Sequence, residues 1–384
     1  MFERALELRP PPRLRAVLAT AFADRRQVLA WWAGSRALVA ATALALHWLR
    51  EPRGYFTGSV FRHAFGALEA WDGVWYRLIA ERGYLLVPGR QSDPAFFPLY
   101  PLLLKALGTT GLPLGVAGVL LSNVVFLIAL LAFDALGRDV LPAQIARRAT
   151  LLLAVFPTTY VCSMVYPESL VVAAFALTGV FAVRRRWLAC AACAAVAALA
   201  RPEGVLLVVP VGASLLASWR SLSAEQRGRG IAAALAAPAA ASSFPFYLAW
   251  ALHDPLAWTK AQRAWGRSFS PDGPLHAVRN LAREAGRQPW AIRDAVFCAV
   301  TIVLLVAAWR AGAPRAWVLF GSLLVLLPLG SGSFESVARF ALPALPAYWG
   351  LAWLTRWRPA HVALATACAT LLVAATVTLP LVFP

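Results

Sequence analysis

A few short segments hold most of the residues that could do chemistry. In WDGVWYRLIAERGY (71–84), Asp72 sits between aromatic residues. A carboxylate in water-poor surroundings can take a proton from an attacking hydroxyl within hydrogen-bond reach. A helix N-cap, with Trp71 as an interfacial anchor, accounts for the same residues equally well. Asp93 precedes Pro94 and an apolar run, which fits either a helix start or a second carboxylate facing the pocket of Asp72. Phe96, Phe97 and Tyr100 would then meet a lipid tail or anchor the segment. Tyr166-Pro167-Glu168 and Arg201-Pro202-Glu203 are tight links between apolar segments. Glu168 either caps the helix that follows or orients a sugar hydroxyl. Arg201 is expected to pair with Glu203, because a buried arginine without a partner is costly.

The segment 253–289 interleaves Trp258, Lys260, Arg263, Trp265, Arg267 and His276. That mixture suits a phosphate beside a ring that can stack, and an amphipathic helix in the membrane interface has the same makeup. Arg339, in SFESVARFALPALP, stands at the end of an apolar segment. It could grip a lipid phosphate bidentately or pair with Glu335. The five histidines are scattered and the five cysteines lie in apolar stretches, so no metal site is expected. Without GxGxxG, P-loop or GxSxG patterns, no cofactor is expected, and a sugar donor would be lipid-linked rather than a nucleotide.

The elements that must position these groups follow from composition. Of 384 residues, 60% are hydrophobic and 14% charged, against about 25% charged in soluble chains; a soluble globular enzyme is excluded. Apolar segments near the ~20 residues that cross a bilayer fall at 27–49, 113–136, 150–166, 168–183, 187–200, 204–219, 230–252, 290–310, 316–330, 336–354 and 360–381. This predicts an all-α integral membrane protein, a single membrane domain of about 11 transmembrane helices with a range of 9–12. The stretch 95–108 is too short and proline-broken to span and reads as re-entrant or interfacial. The first apolar stretch has no small-residue cleavage site and reads as a retained span.

The net charge of +18 does not imply nucleic acid. Its 34 arginines and two lysines cluster between apolar segments, where positive charge sets orientation, so membrane lipids and phosphates are the expected partners. A cytoplasmic N-terminus puts 19 basic residues on the inner side, six of them in the tail 1–26. Of 15 outside, 13 lie in the long loops 50–112 and 253–289, and long loops count little. This orientation gathers the polar clusters on the outer face. An enzyme at the membrane surface needs such gathering, whereas a transporter places ionisable groups near the midplane. A lipid-carrier flippase stays open as the alternative from another class.

At WDGVWYRLIAERGY followed by DPAFFPLYPLL, the chain resembles bacterial relatives of the second mannosyltransferase of glycosylphosphatidylinositol synthesis (PIG-V-like), within the GT-C superfamily of polytopic glycosyltransferases. FPTTYVCSMVYPESL (156–170), ARPEGVLL (200–207) and SVARFALPALP (336–346) support the likeness; Glu203 departs from the expected pattern. The resemblance implies a GT-C-like fold in the plasma membrane. It also implies inverting transfer of mannose from a polyprenyl-phosphate carrier to a lipid or glycan acceptor at the outer face. Another lipid-linked sugar is the nearest rival. By similarity Asp72 is the general base, and Arg339, supported by Arg201 or Arg267, holds the carrier phosphate. Trp71, Asp93, Glu168 and Trp265 complete the expected substrate-binding set.

Overall fold

A computed structural model describes residues 14–49, 65–288 and 290–378. Among them every regular element is helical. The chain runs through α1 (Leu14–Leu49), α2 (Asp72–Arg82), α3 (Leu99–Gly108), α4 (Leu114–Val140), α5 (Ala143–Val155), α6 (Glu168–Val183), α7 (Trp187–Ala200) and α8 (Val208–Ser218). It continues through α9 (Ala224–Leu252), α10 (Ala257–Ala264), α11 (Gly273–Ala285), α12 (Ala291–Arg310), α13 (Arg315–Leu329), α14 (Val337–Phe340), α15 (Leu345–Leu354) and α16 (Arg358–Thr378).

Among the described residues six segments are long and apolar enough to cross a membrane: Arg25–Trp48 of α1, α4, Pro202–Ser221, α9, α12 and α16. A seventh arises if the turn Pro157–Ser163 and α6, bent by 102°, count as one span. The difference from eleven has identifiable causes. The expected span 150–166 stops at Phe156, which stands in extended conformation (ψ 141°) because the following proline disfavours helix there. The chain then turns through a 3₁₀ segment, Pro157–Ser163. The expected span 336–354 splits into four-residue α14 and ten-residue α15, with Pro343 and Pro346 at the break. At ~1.5 Å per residue, α15 covers roughly half of the ~30 Å hydrocarbon core. Parts of the expected tail (1–13), of the first long loop (50–64) and of the last expected span (379–381) lie outside the described residues.

Large apolar side chains supply the cohesion. One core joins α1, α4 to α7, α13, α15 and α16, with Trp349 stacked on Phe133 at 5.8 Å and 4° and Phe175 edge-on to Phe320 at 5.0 Å. A Cβ on Gly350 would lie 2.0 Å from the Leu304 carbonyl, so α15 and α12 meet backbone to backbone, a small-residue contact typical of membrane helices. Leu120, Val124, Leu216, Phe246 and Trp250 remain exposed on the outside of the bundle, where lipid would cover them.

Two features carry the fold toward its polar centre. Arg36, buried within the first span, has no carboxylate partner among the described residues. It donates to the Thr159 carbonyl at 2.8 Å, Ser163 Oγ at 3.0 Å and the Ala154 carbonyl at 3.3 Å, and lies over the Phe126 ring. It thereby ties α1 to the 3₁₀ turn that leads into Tyr166 and Glu168. The segment 253–288 forms two short amphipathic helices, α10 and α11. α10 is fastened to the first loop by Gln262 Nε2 donating to the Ala95 carbonyl (3.0 Å) and Trp265 Nε1 to that of Ser92 (3.2 Å).

Candidate active site

A cavity of about 510 Å³ lies beneath α10, bounded by the start of α2, the 95–97 turn, the N-terminus of α6, the 200–203 link and the 327–340 segment. Its volume is that of a small-molecule site, roughly 300–1,000 Å³.

Asp72 enters this cavity as the first residue of α2. The preceding Trp71 adopts φ 58°, a backbone state costing a non-glycine residue on the order of 1–3 kcal/mol. Docking holds it there: the Asp72 amide donates to Tyr166 Oη at 3.0 Å. α2 packs on the 165–166 turn, where a Cβ on Gly73 would meet Val165 Cβ at 3.4 Å, an ordinary contact. The reading of Asp72 as an N-cap is corrected, because Trp71 occupies that position and Asp72 points its carboxylate elsewhere.

That carboxylate begins a chain of buried ion pairs. Arg339 Nη1 donates to Asp72 Oδ2 at 2.7 Å, and Arg339 Nε lies 3.5 Å from Glu168 Oε1. Arg201 Nη1 donates to the same Glu168 oxygen at 2.8 Å. Arg201 also grips Glu203 with two nitrogens, at 2.7 and 3.2 Å. Burial opposes the charge of Arg339, but Asp72 and Glu168 more than offset it and hold the guanidinium above its ordinary pKa. Thus Arg339 does not pair with Glu335, the partner offered by sequence proximity. The expected Arg201–Glu203 pair is present and extends to Glu168. Glu168 lines the cavity, and its buried Oε2 has no hydrogen-bond partner among the described residues.

Arg267 completes the group. Its guanidinium lies 4.7 Å from the Phe340 ring, which Arg201 and Arg339 also approach, at 4.5 and 5.0 Å. Unlike those two, Arg267 makes no ion pair among the described residues, and burial together with nearby Arg339 pulls its pKa below the ordinary value. An anion in the cavity would relieve that cation.

The remaining expected residues fall into two groups. Trp265 lines the cavity beside Phe96, edge-on at 5.5 Å. Trp71 and Asp93 are not among the lining residues. Trp71 packs half-buried against the core, and Asp93 Oδ1 accepts from the Leu85 amide at 2.6 Å, which pins the loop between α2 and α3. Sequence reasoning gave no role to Tyr166 Oη or Gln262. Their types are ordinary, and the only hint of Tyr166 was its place before Pro167-Glu168.

Helical spans around a cavity lined by acids and arginines define a polytopic membrane protein with a polar site among its helices. Its lineage is equally definite. The profile of the family described as mannosyltransferase (PIG-V) matches residues 27–254, more than half of the chain, and this protein belongs to that family. No curated protein matches it. Among solved structures it is similar to the oligosaccharyltransferase of Archaeoglobus fulgidus, at 13% identity and a TM-score of 0.41. The similarity covers 91% of this chain and 55% of that one, so this chain spans about half the length of that neighbour.

Proposed function

We propose that this membrane glycosyltransferase moves mannose from a polyprenyl-phosphate carrier to the hydroxyl of a lipid or glycan acceptor. The reaction would take place at the outer face of the plasma membrane, by inverting in-line displacement. The observation that carries the reading is Asp72, held at the cavity wall by Arg339 and the Tyr166 hydroxyl, in a cavity shared with Arg267, which makes no ion pair among the described residues.

In this mechanism the acceptor hydroxyl approaches Asp72, whose carboxylate takes its proton as the oxygen attacks the anomeric carbon. The bond from that carbon to the phosphate oxygen breaks on the opposite side, and its electron pair leaves with the phosphate. Configuration at the carbon inverts. Phosphate is already a good leaving group, so the acid of the two-carboxylate glycosidase scheme is dispensable. Arg267 receives the phosphate charge, with Arg201 and Arg339 close behind it around Phe340. Fixed cations of this kind stabilise charge that develops in the transition state. Arg339 serves first to fix Asp72, a shift from the role implied by resemblance. Glu168 Oε2 accepts a hydrogen bond from a sugar hydroxyl, and Trp265 offers a ring face. Trp71 and Asp93 contribute by shaping the loop that presents Asp72. The concentration of positive charge in the short links on one side of the membrane supports a cytoplasmic N-terminus.

The test is transfer from radiolabelled polyprenyl-phosphate-mannose by purified protein in lipid, wild type against Asp72→Asn. Transfer to an extracted envelope acceptor, lost in the variant while the carrier still binds, is the expected result. Carrier binding without transfer to any acceptor pool would move the protein to the lipid-carrier flippases. Equal transfer by both proteins would remove Asp72 from the mechanism.

A further inference from the structure

Asp294 is fully buried in the first turn of α12, and the mechanism above gives it no task. Its Oδ2 accepts from the amide of Ser336 at 2.7 Å, and its Oδ1 accepts from Arg293 Nε at 2.8 Å. Ser336 is itself fully buried and left-handed, with φ 64° and ψ 13°, a state that an L-residue with a side chain adopts rarely and only when its surroundings impose it. The Ser336 carbonyl then accepts from the amides of Arg339 (3.1 Å) and Phe340 (2.9 Å), which closes the single turn of α14. Three residues past the strained position, the Arg339 side chain reaches Asp72 and Glu168. The Tyr166 and Phe340 rings hold the far end of the guanidinium, at 5.2 and 5.0 Å, while the Ser336 turn sets where its backbone starts.

We infer that Asp294 is a positioning residue: by holding the Ser336 amide in its left-handed conformation it aims Arg339 at Asp72. The inference rests on the transferase reading only for its kinetic arm. A buried carboxylate accepting a main-chain N–H is a strong, charge-assisted bond, and its removal leaves that N–H without an acceptor in a place water does not reach. Arg339 then moves with the relaxed turn, and displacement by about 1 Å in a catalytic group can cost 100-fold. Asparagine keeps one oxygen for the amide. A glycine at position 336 adopts positive φ unaided.

The experiment uses the full chain in lipid nanodiscs and compares wild type, Asp294→Asn, Asp294→Ala and the double variant Asp294→Ala with Ser336→Gly. Hydrogen exchange of segment 333–342 is read alongside transfer kinetics. Asp294→Ala is expected to exchange this segment at least tenfold faster, and to lose about 100-fold in kcat with little change in KM. Asp294→Asn should stay within about tenfold of wild type in both readouts, and the double variant should recover part of kcat. Should Asp294→Ala unfold, the asparagine variant and Ser336→Gly in the wild-type background still decide. In that case kcat for Asp294→Asn falling as far as expected for alanine, with exchange unchanged, overturns the inference. So does unaltered exchange in Asp294→Ala. If wild type shows no transfer at all, the transferase reading fails, and the exchange data alone decide whether Asp294 holds the turn.

Discussion

At the residue scale, the site depends on geometry that a conserved charge alone would not supply. Arg339 meets Asp72 through Nη1 and Glu168 through Nε, two directions of one planar fork. Lysine carries the charge but has a single donor centre and a strongly hydrated head. Arg339→Lys is therefore expected to lower kcat about 100-fold while the carrier still binds, checked by single-turnover transfer and a separate binding assay. Asp93 makes a different kind of prediction. Burial raises its carboxyl above the ordinary 3.8, against the pull of the Leu85 amide and Arg82. A carboxyl raised in the folded state binds its proton more tightly folded than unfolded. Its contribution to stability is most favourable below the unfolded value and falls as pH rises through the folded one. Asp93→Asn keeps an oxygen for the Leu85 amide and removes that dependence. Thermal unfolding across pH 4 to 7 should show the variant gaining on wild type as pH rises, and parallel curves would contradict it.

At the element scale, the decisive structures are short. α10 roofs the cavity and, among the described residues, is held to the first loop by two side-chain bonds, from Gln262 and Trp265, reinforced by the contacts of Trp265 with Trp75 and Phe96, each at 5.5 Å. Removing both bonds in Gln262→Ala with Trp265→Phe keeps an aromatic ring but frees the roof. KM for the carrier should rise about tenfold, since each neutral hydrogen bond is worth about 1 kcal/mol net, with a smaller effect on kcat. An unchanged KM would mean that the roof does not close on substrate. Much of this level was legible in sequence. The proline-broken stretch before α3, the amphipathic makeup of 253–289 and the long apolar α4 were read correctly as elements. The spans at 150–166 and 336–354 were not, because hydropathy sums over a proline break while the backbone cannot cross it as helix.

At the scale of the whole molecule, the proposed orientation rests on charge in the short links. Labelling tests it cleanly, because four of the five cysteines are buried and Cys193 is half-buried, which leaves little background. Arg186→Cys and Arg287→Cys place single thiols at exposed positions. A membrane-impermeant maleimide applied to intact cells should label position 287 at once and position 186 only after permeabilisation. The reverse order would invert the protein and move the site to the cytoplasmic face.

Sequence alone determined that this is a helical membrane protein, since the composition of the chain cannot be hidden from water in any soluble fold. It also singled out Glu168, Arg201 and Arg339 at the ends of apolar segments, where charge is rare enough to notice, Asp72 between aromatic residues, and Arg267 in the basic and aromatic segment 253–289. Only the tertiary structure decided how they pair. Sequence proximity suggested Glu335 for Arg339, yet its partner is Asp72, 267 positions away. It likewise left Asp93 open between a helix start and a second pocket carboxylate, and the fold places it at the start of a short 3₁₀ turn, against the Leu85 amide. Periodicity and hydropathy report which face of a helix is apolar, a local property repeated along the chain. An ion pair between distant links has no such repeat: its partners are chosen by how the helices pack, and by which buried charge would otherwise stand uncompensated.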